Sequence, residues 1–154
     1  MLKLIVAYDK NMLIGSGNKM PWYFIDELKH FKSEIKNQIL VVGENTFYSF
    51  KKIPNEKIIL LSNNKSLLNK YKNLEIETDI EKIVNRSKNE DIIVLGGRNV
   101  YLQFLPFVDL MIISIIEKEF KGDVYFPKWD NNDFLLIKTK KINTFINAYY
   151  FKRK

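Results

Sequence analysis

The chain has 154 residues, of which 46% are hydrophobic and 14% aromatic, enough for one domain with a real core and too apolar for a disordered segment. It has no cysteine, so disulfides, thiolate nucleophiles and cysteine-held metals are excluded, and no apolar run approaches the roughly 20 residues of a membrane span. The formal charge of +7 comes almost wholly from lysine, Arg occurring only at Arg86, Arg98 and Arg153; without a long basic run this argues against nucleic acid as the main partner and suits anionic small molecules.

In chain order, "LKLIVAY" (2–8) reads as a buried strand. With no basic leader or small-residue cleavage site before it, a cytoplasmic protein is expected. The Gly-rich loop Ile14–Met20 and the Pro21-Trp22 pair then lead into an amphipathic helix over 25–36. Leu28, Phe31 and Ile35 define its buried stripe, and Glu27 stands on the row beside it. Asp26 lies about 100° further round, near Lys29, solvent and the helix N-terminus, which favours a negative charge. Glu27 therefore borders a partly apolar cleft, where burial would raise its pKa. From this helix alone, an ordinary surface Glu paired with a lysine is an equal alternative. His30, the one histidine, is assigned to the polar side of the helix, where it completes neither a metal site nor a Ser-His-Asp arrangement.

"QILVVG" (38–43) is a second strand, and "GENTF" (43–47) turns from it into a helix over 44–50, with Thr46 able to cap that helix or bond a phosphate. "KIILLS" (57–62) is a third strand closed by Ser62 and Asn63, followed by a helix near 79–87. "DIIVLGG" (91–97) ends on Gly96-Gly97, and "GGRNVY" (96–101) opens another helix. Paired glycines allow close backbone approach, and free N–H groups at the helix start suit a phosphate. After "DLMIISII" (109–116), strands near 133–141 and 146–153 follow without a helix between them, which predicts an antiparallel C-terminal edge.

The alternation predicts an α/β fold in a single domain over 1–154, mostly parallel, with helices on both faces. Ligands of such sheets bind beyond the carboxyl ends of the strands. Those ends are Ala7–Asp9, Gly43, Ser62–Asn63, Gly96–Gly97 and Ser114–Ile116. Several glycine or small polar strand ends together suit a multiply phosphorylated ligand such as a dinucleotide. Hydride chemistry with a borrowed cofactor also needs few protein groups.

The segments "IVAYDKNMLIGSGNKMPWYFIDELKHFK", "GENTFYSF", "KIILLS", "VLGGRNVYLQFLP" and "KGDVYFP" resemble dihydrofolate reductase, in that family's order and spacing across nearly the whole chain. The resemblance implies an eight-stranded sheet with four helices. It also implies reduction of 7,8-dihydrofolate to 5,6,7,8-tetrahydrofolate, a step of one-carbon metabolism, by NADPH, with NADH as a possible substitute. Glu27 then matches the pterin-orienting acid, Trp22 the holder of an ordered water, and Ser114 a supporting hydroxyl where the family usually has Thr. Ile5, Ala7, Leu28, Phe31, Phe50, Ile53, Leu95 and Tyr101 match the substrate pocket. Ala7, Ile14, Gly15, Asn18, Met20, Gly43, Asn45, Thr46, Ser62, Asn63, Gly96, Gly97, Arg98, Asn99, Val100 and Tyr101 match cofactor contacts. No metal is implied, and the implied state is a monomer.

Three departures stand out. The proline of the family's W-x-L-P-x-[DE] is missing from Trp22–Glu27. Glu56 stands where an Arg would bind the folate glutamate tail, and Glu44 where an Arg would clamp the 2′-phosphate of NADPH. Lys51, Lys52 or Lys57 could serve the tail, and Lys65 or Arg98 the phosphate, as point charges rather than forks. The alternatives are a divergent pterin reductase with altered charge preference, a pyrimidine reductase of riboflavin synthesis, which Trp22 and Glu27 argue against, and a folate- or RNA-binding relative with decayed catalysis.

Overall fold

In the computed structural model, which describes residues 1–17 and 19–154, the apolar run at the N-terminus forms β1 (Leu2–Asp9). It runs parallel to β6 (Ile92–Gly96) on one side and β7 (Leu110–Ile116) on the other. Outward from β6 come β3 (Ile39–Gly43), β4 (Ile58–Leu61) and β5 (Leu74–Glu77), all parallel. Beyond β7 the hand of pairing changes: β10 (Ile146–Arg153) is antiparallel to β7 and to the edge strand β9 (Phe134–Lys141). The eight-stranded order is β5-β4-β3-β6-β1-β7-β10-β9; the mostly parallel sheet and its antiparallel C-terminal edge are as expected from the α/β alternation and the helix-free C-terminal stretch.

The uninterrupted apolar runs of the inner strands are explained by burial on both faces. Their side chains alternate between two cores. Ile93 and Leu95 join Ile5, Leu40 and Ile112 on the face covered by α1 (Ile25–Ile35) and α2 (Glu44–Ser49), which contribute Ile35 and Phe47. Ile92 and Val94 join Leu4, Val6 and Ile113 on the opposite face under α3 (Ile80–Arg86) and α4 (Arg98–Phe104), through Ile83, Val100 and Phe104. A third small cluster, Trp22, Ile116 and Ile146, closes the carboxyl end of β7. Among the described residues, no helix is long and apolar enough to cross a membrane.

Three short strands were not anticipated. β5 reads "LEIE", too short and too acidic to announce itself, and it exists because β4 offers an edge. β2 (Leu13–Gly15) and β8 (Val124–Tyr125) pair with each other outside the main sheet. Their approach is tight: a Cβ on Gly122 would collide with the Gly15 carbonyl oxygen. The Gly17 N–H also donates to Asp123 Oδ1 at 2.8 Å, which ties the Gly-rich loop to the same arm.

Asp9, at the carboxyl end of β1, is fully buried. Its Oδ1 accepts from the Asn11 and Leu13 N–H groups at 2.8 and 3.0 Å, and its Oδ2 from the Phe120 N–H at 3.0 Å. One carboxylate thus anchors both arms of the β2–β8 ribbon. Asp9→Ala would strand these donors. Each buried unmade partner costs about 1–3 kcal/mol, so urea denaturation should show a loss of roughly 3 kcal/mol or more.

Candidate active site

The first turn of α1 carries Asp26 and Glu27, and the fold treats them differently. Asp26 is exposed, with a long 3.4 Å contact from Asn143 Nδ2. Glu27 is only 9% exposed, and burial pushes its carboxyl up to about 7. No cation pairs with it among the described residues.

Beyond Glu27 the carboxyl ends of three strands converge. Tyr101 of α4 is buried, and its hydroxyl lies 2.8 Å from both the Ile5 and Leu95 carbonyl oxygens. Burial, and secondarily the charge of Glu27, hold this phenol well above its usual pKa. It is therefore a fixed donor joining β1 to β6. Gly96, at φ +115°, presents the backbone to that ring: an added Cβ would meet Tyr101 atoms at 3.1 Å.

Most residues expected to line the substrate pocket lie on the sheet face under α1 and α2. Ile5, Leu95, Phe31, Phe50 and Ile53 belong to one apolar cluster, Ala7 packs with the Trp22 cluster, and Leu28 is half-buried. Ser114, buried on β7, is flanked in register by Ala7 and Ala148. Small neighbours on both sides leave its hydroxyl uncrowded. Trp22 packs on Phe120 with ring centroids 5.2 Å apart, and its buried Nε1 has no acceptor among the described residues. An unsatisfied buried donor costs energy unless water or ligand meets it.

One assignment is corrected. His30 is 4% exposed rather than on the polar side of α1, and neither ring nitrogen has a partner among the described residues. Its ring packs edge-on to Tyr150 of β10, 6.5 Å between centroids. Helical periodicity put it outside, but β10 covers that flank, so the buried row runs through Glu27, His30 and Ile35. Burial lowers the His30 pKa, against an opposing pull from Glu34.

On the other side of the sheet's carboxyl edge, two glycine turns face each other. A Cβ on Gly97 would sit 3.1 Å from Thr46 Oγ1, and one on Gly43 would sit 3.0 Å from Val100. Alongside lies a cleft of about 270 Å³ lined by Leu61, Ser62, Asn63, Thr78, Val100 and Gln103. Glu44, the first residue of α2, accepts a hydrogen bond from Ser62 Oγ. Asn45, Arg98 and Asn99 are exposed near these turns in the chain, Ile14 is half-buried, Gly15 lies in β2, and Met20 is exposed. Asn18 lies outside the described residues. Leu61, Thr78 and Gln103 went unnoticed in the sequence. Gln103 stands one helical turn after Val100, a spacing that could have pointed to it, whereas Thr78 follows a strand that could not be seen.

Parallel strands ending near a buried acid, with two closely packed glycine turns and a cleft at the same edge, are the arrangement in which proteins of the open α/β class bind their ligands. A family model described as dihydrofolate reductase matches residues 1–152, and the chain belongs to the dihydrofolate reductase family. It is 33% identical over 155 residues to a dihydrofolate reductase of Ureaplasma parvum, covering 100% of this chain and 99% of that one. It is also 33% identical over 160 residues to one of Mycoplasma genitalium, with the same coverage. A solved structure of the Enterococcus faecalis dihydrofolate reductase, complexed with NADP(H) and RAB-propyl, superposes with a TM-score of 0.83 at 27% identity, covering 99% of this chain and 96% of that one.

Because folded Glu27 holds its proton up to about pH 7 while the unfolded chain releases it near 4.5, the folded state binds more protons between those values. Stability from this group therefore falls as pH rises through that window, by roughly 3 kcal/mol in total. Urea unfolding of wild type and Glu27→Gln between pH 4.5 and 8 should show the variant gaining relative stability with pH. The difference isolates Glu27 from His30, whose lowered pKa acts with the opposite sign.

Proposed function

We propose that this chain reduces 7,8-dihydrofolate to tetrahydrofolate with NADPH. The observation that carries the reading is Glu27: a buried carboxyl without a counter-charge among the described residues, close enough to Tyr101 to act on its phenol, at the sheet edge that also bears the paired glycine turns. When bound, NADPH supplies the hydride. Gly43, Thr46, Ser62, Asn63 and the turn from Gly96 to Tyr101 would hold it, a fit supported by the close approach at Gly43 and Gly97. Asn45 and the loop from Ile14 to Met20 would complete its contacts.

Glu27 receives paired hydrogen bonds from the pterin 2-amino group and the adjacent ring nitrogen. A charged acceptor in a dry pocket makes such a pair strong and directional. With a pKa near neutrality, the same carboxyl is available as a proton reservoir and favours protonation at N5, which makes C6 a better hydride acceptor. Trp22 Nε1 orients a water beside the acid, and Ser114 supplies the supporting hydroxyl. Ile5, Ala7, Leu28, Phe31, Phe50, Ile53 and Leu95 exclude bulk solvent from the ring, and Tyr101 fixes the strand ends behind it. In this reading the chain works as a cytoplasmic monomer of one domain.

Absorbance loss with dihydrofolate and NADPH tests this directly, and absence of turnover would overturn it. General acid–base groups contribute about 10²–10⁴-fold. Glu27→Gln should therefore cost at least about a hundredfold in kcat/KM at neutral pH, while Asp26→Asn changes little; equal losses would mean that the acids are misassigned. In the wild type, kcat/KM should decline above about pH 7, the free protein's Glu27 pKa.

Glu56 is half-buried in the loop that Asn73 pins through the Pro54 and Glu56 carbonyls, at 2.8 and 2.7 Å. Standing where the folate tail would reach, it should weaken the substrate. Glu56→Arg should lower KM for dihydrofolate, and an unchanged KM would assign the tail to neighbouring lysines.

A further inference from the structure

Resting on the reading of a nicotinamide cofactor across the strand ends, we infer that the Glu44–Ser62 pair sets cofactor choice, selecting an unphosphorylated adenosine ribose so that NADH is accepted alongside NADPH.

The inference rests on where the protons are. Ser62 lines the 270 Å³ cleft. A hydroxyl has one proton to give, and Ser62 gives it to Glu44 Oε1. Ser62 Oγ itself accepts from the Asn64 N–H at 2.9 Å, so the hydroxyl has no proton left for a phosphate oxygen. Glu44 is a pure acceptor while ionised, and no ion pair neutralises it among the described residues.

A ribose 2′-hydroxyl needs an acceptor; a 2′-phosphate needs donors and positive charge. Glu44, held against the cleft residue Ser62, therefore matches the first ligand and opposes the second. Acid for ribose hydroxyl and arginine for 2′-phosphate is the general division among dinucleotide sites. Lys65 and Arg98, the cations expected to serve a 2′-phosphate, are both exposed. An exposed point charge is worth little in water, so they keep NADPH as a ligand without restoring strong discrimination. Thr78 and Gln103, on the far wall of the cleft, are neutral and offer no compensating charge.

Calorimetric titration with 5′-AMP and with adenosine 2′,5′-bisphosphate reads this preference without turnover. The wild type should bind the two within about threefold of each other. Glu44→Gln, which keeps the shape and removes the charge, should shift the ratio toward the bisphosphate. Glu44→Arg should shift it by about tenfold or more, the scale of a charge-assisted hydrogen bond. The ratio of kcat/KM for NADPH over NADH should rise in the same order. A wild type that already favours the bisphosphate by tens of fold, or an unchanged ratio in both variants, would overturn the inference. Failure to turn over with either cofactor would count against dihydrofolate reduction, while the fragment ratio would still decide the role of Glu44.

Discussion

Parallel strands finish along one edge of a sheet, and β1, held between β6 and β7, finishes with Ala7 beside Ser114 and with Ile5 close enough to Leu95 for one phenol to bond both carbonyls. Everything chemical in the molecule depends on that shared edge. The Tyr101 hydroxyl, reaching in from α4, shares its one proton between two backbone carbonyls there, those of Ile5 and Leu95. Its ring demands a neighbour without a Cβ, which Gly96 supplies. The same glycine turn starts α4 and aligns it with the start of α2 across Gly43 and Thr46. Strand pairing, a buried hydroxyl and a glycine turn are thus one connected constraint.

Against this rigid frame the chain distributes its acids by solvation. Asp9 is buried and fully hydrogen-bonded to backbone, so its charge serves structure. Glu27 is buried without such partners, and the energy lost by desolvation appears as a raised pKa. Glu44 is partly solvated and accepts from Ser62, a residue that lines the neighbouring cleft. The residue types scarcely differ; their surroundings give them three different roles. The two carboxylates at 44 and 56 set this chain's charge pattern apart from the arginines that its resemblance to the family led one to expect.

How much of this was legible differs from element to element. Strands buried on both faces announce themselves as apolar runs, because few polar residues are tolerated in them; β1, β3, β4, β6 and β7 could all be read. The exposure of Asp26 followed from helical geometry, but the same geometry misplaced His30. Periodicity tells which residues share a face, and says nothing about a second element covering the flank, as β10 does through Tyr150. The ribbon of β2 and β8 was invisible for a related reason. Strands of two or three residues have no pattern of their own and exist only through Gly122 and Asp123 meeting the Gly-rich loop.

By itself, then, the order of residues determined the class of fold, the edge at which ligands would bind, and the short list of acids and glycines that could serve them. These are local or periodic properties, written in runs, turns and spacings. Tertiary structure alone decided which acid lost its water, which hydroxyl had already spent its proton, and which strand ends a single tyrosine would join. Desolvation and hydrogen-bond saturation depend on neighbours brought from dozens of residues away, and no window along the chain contains them.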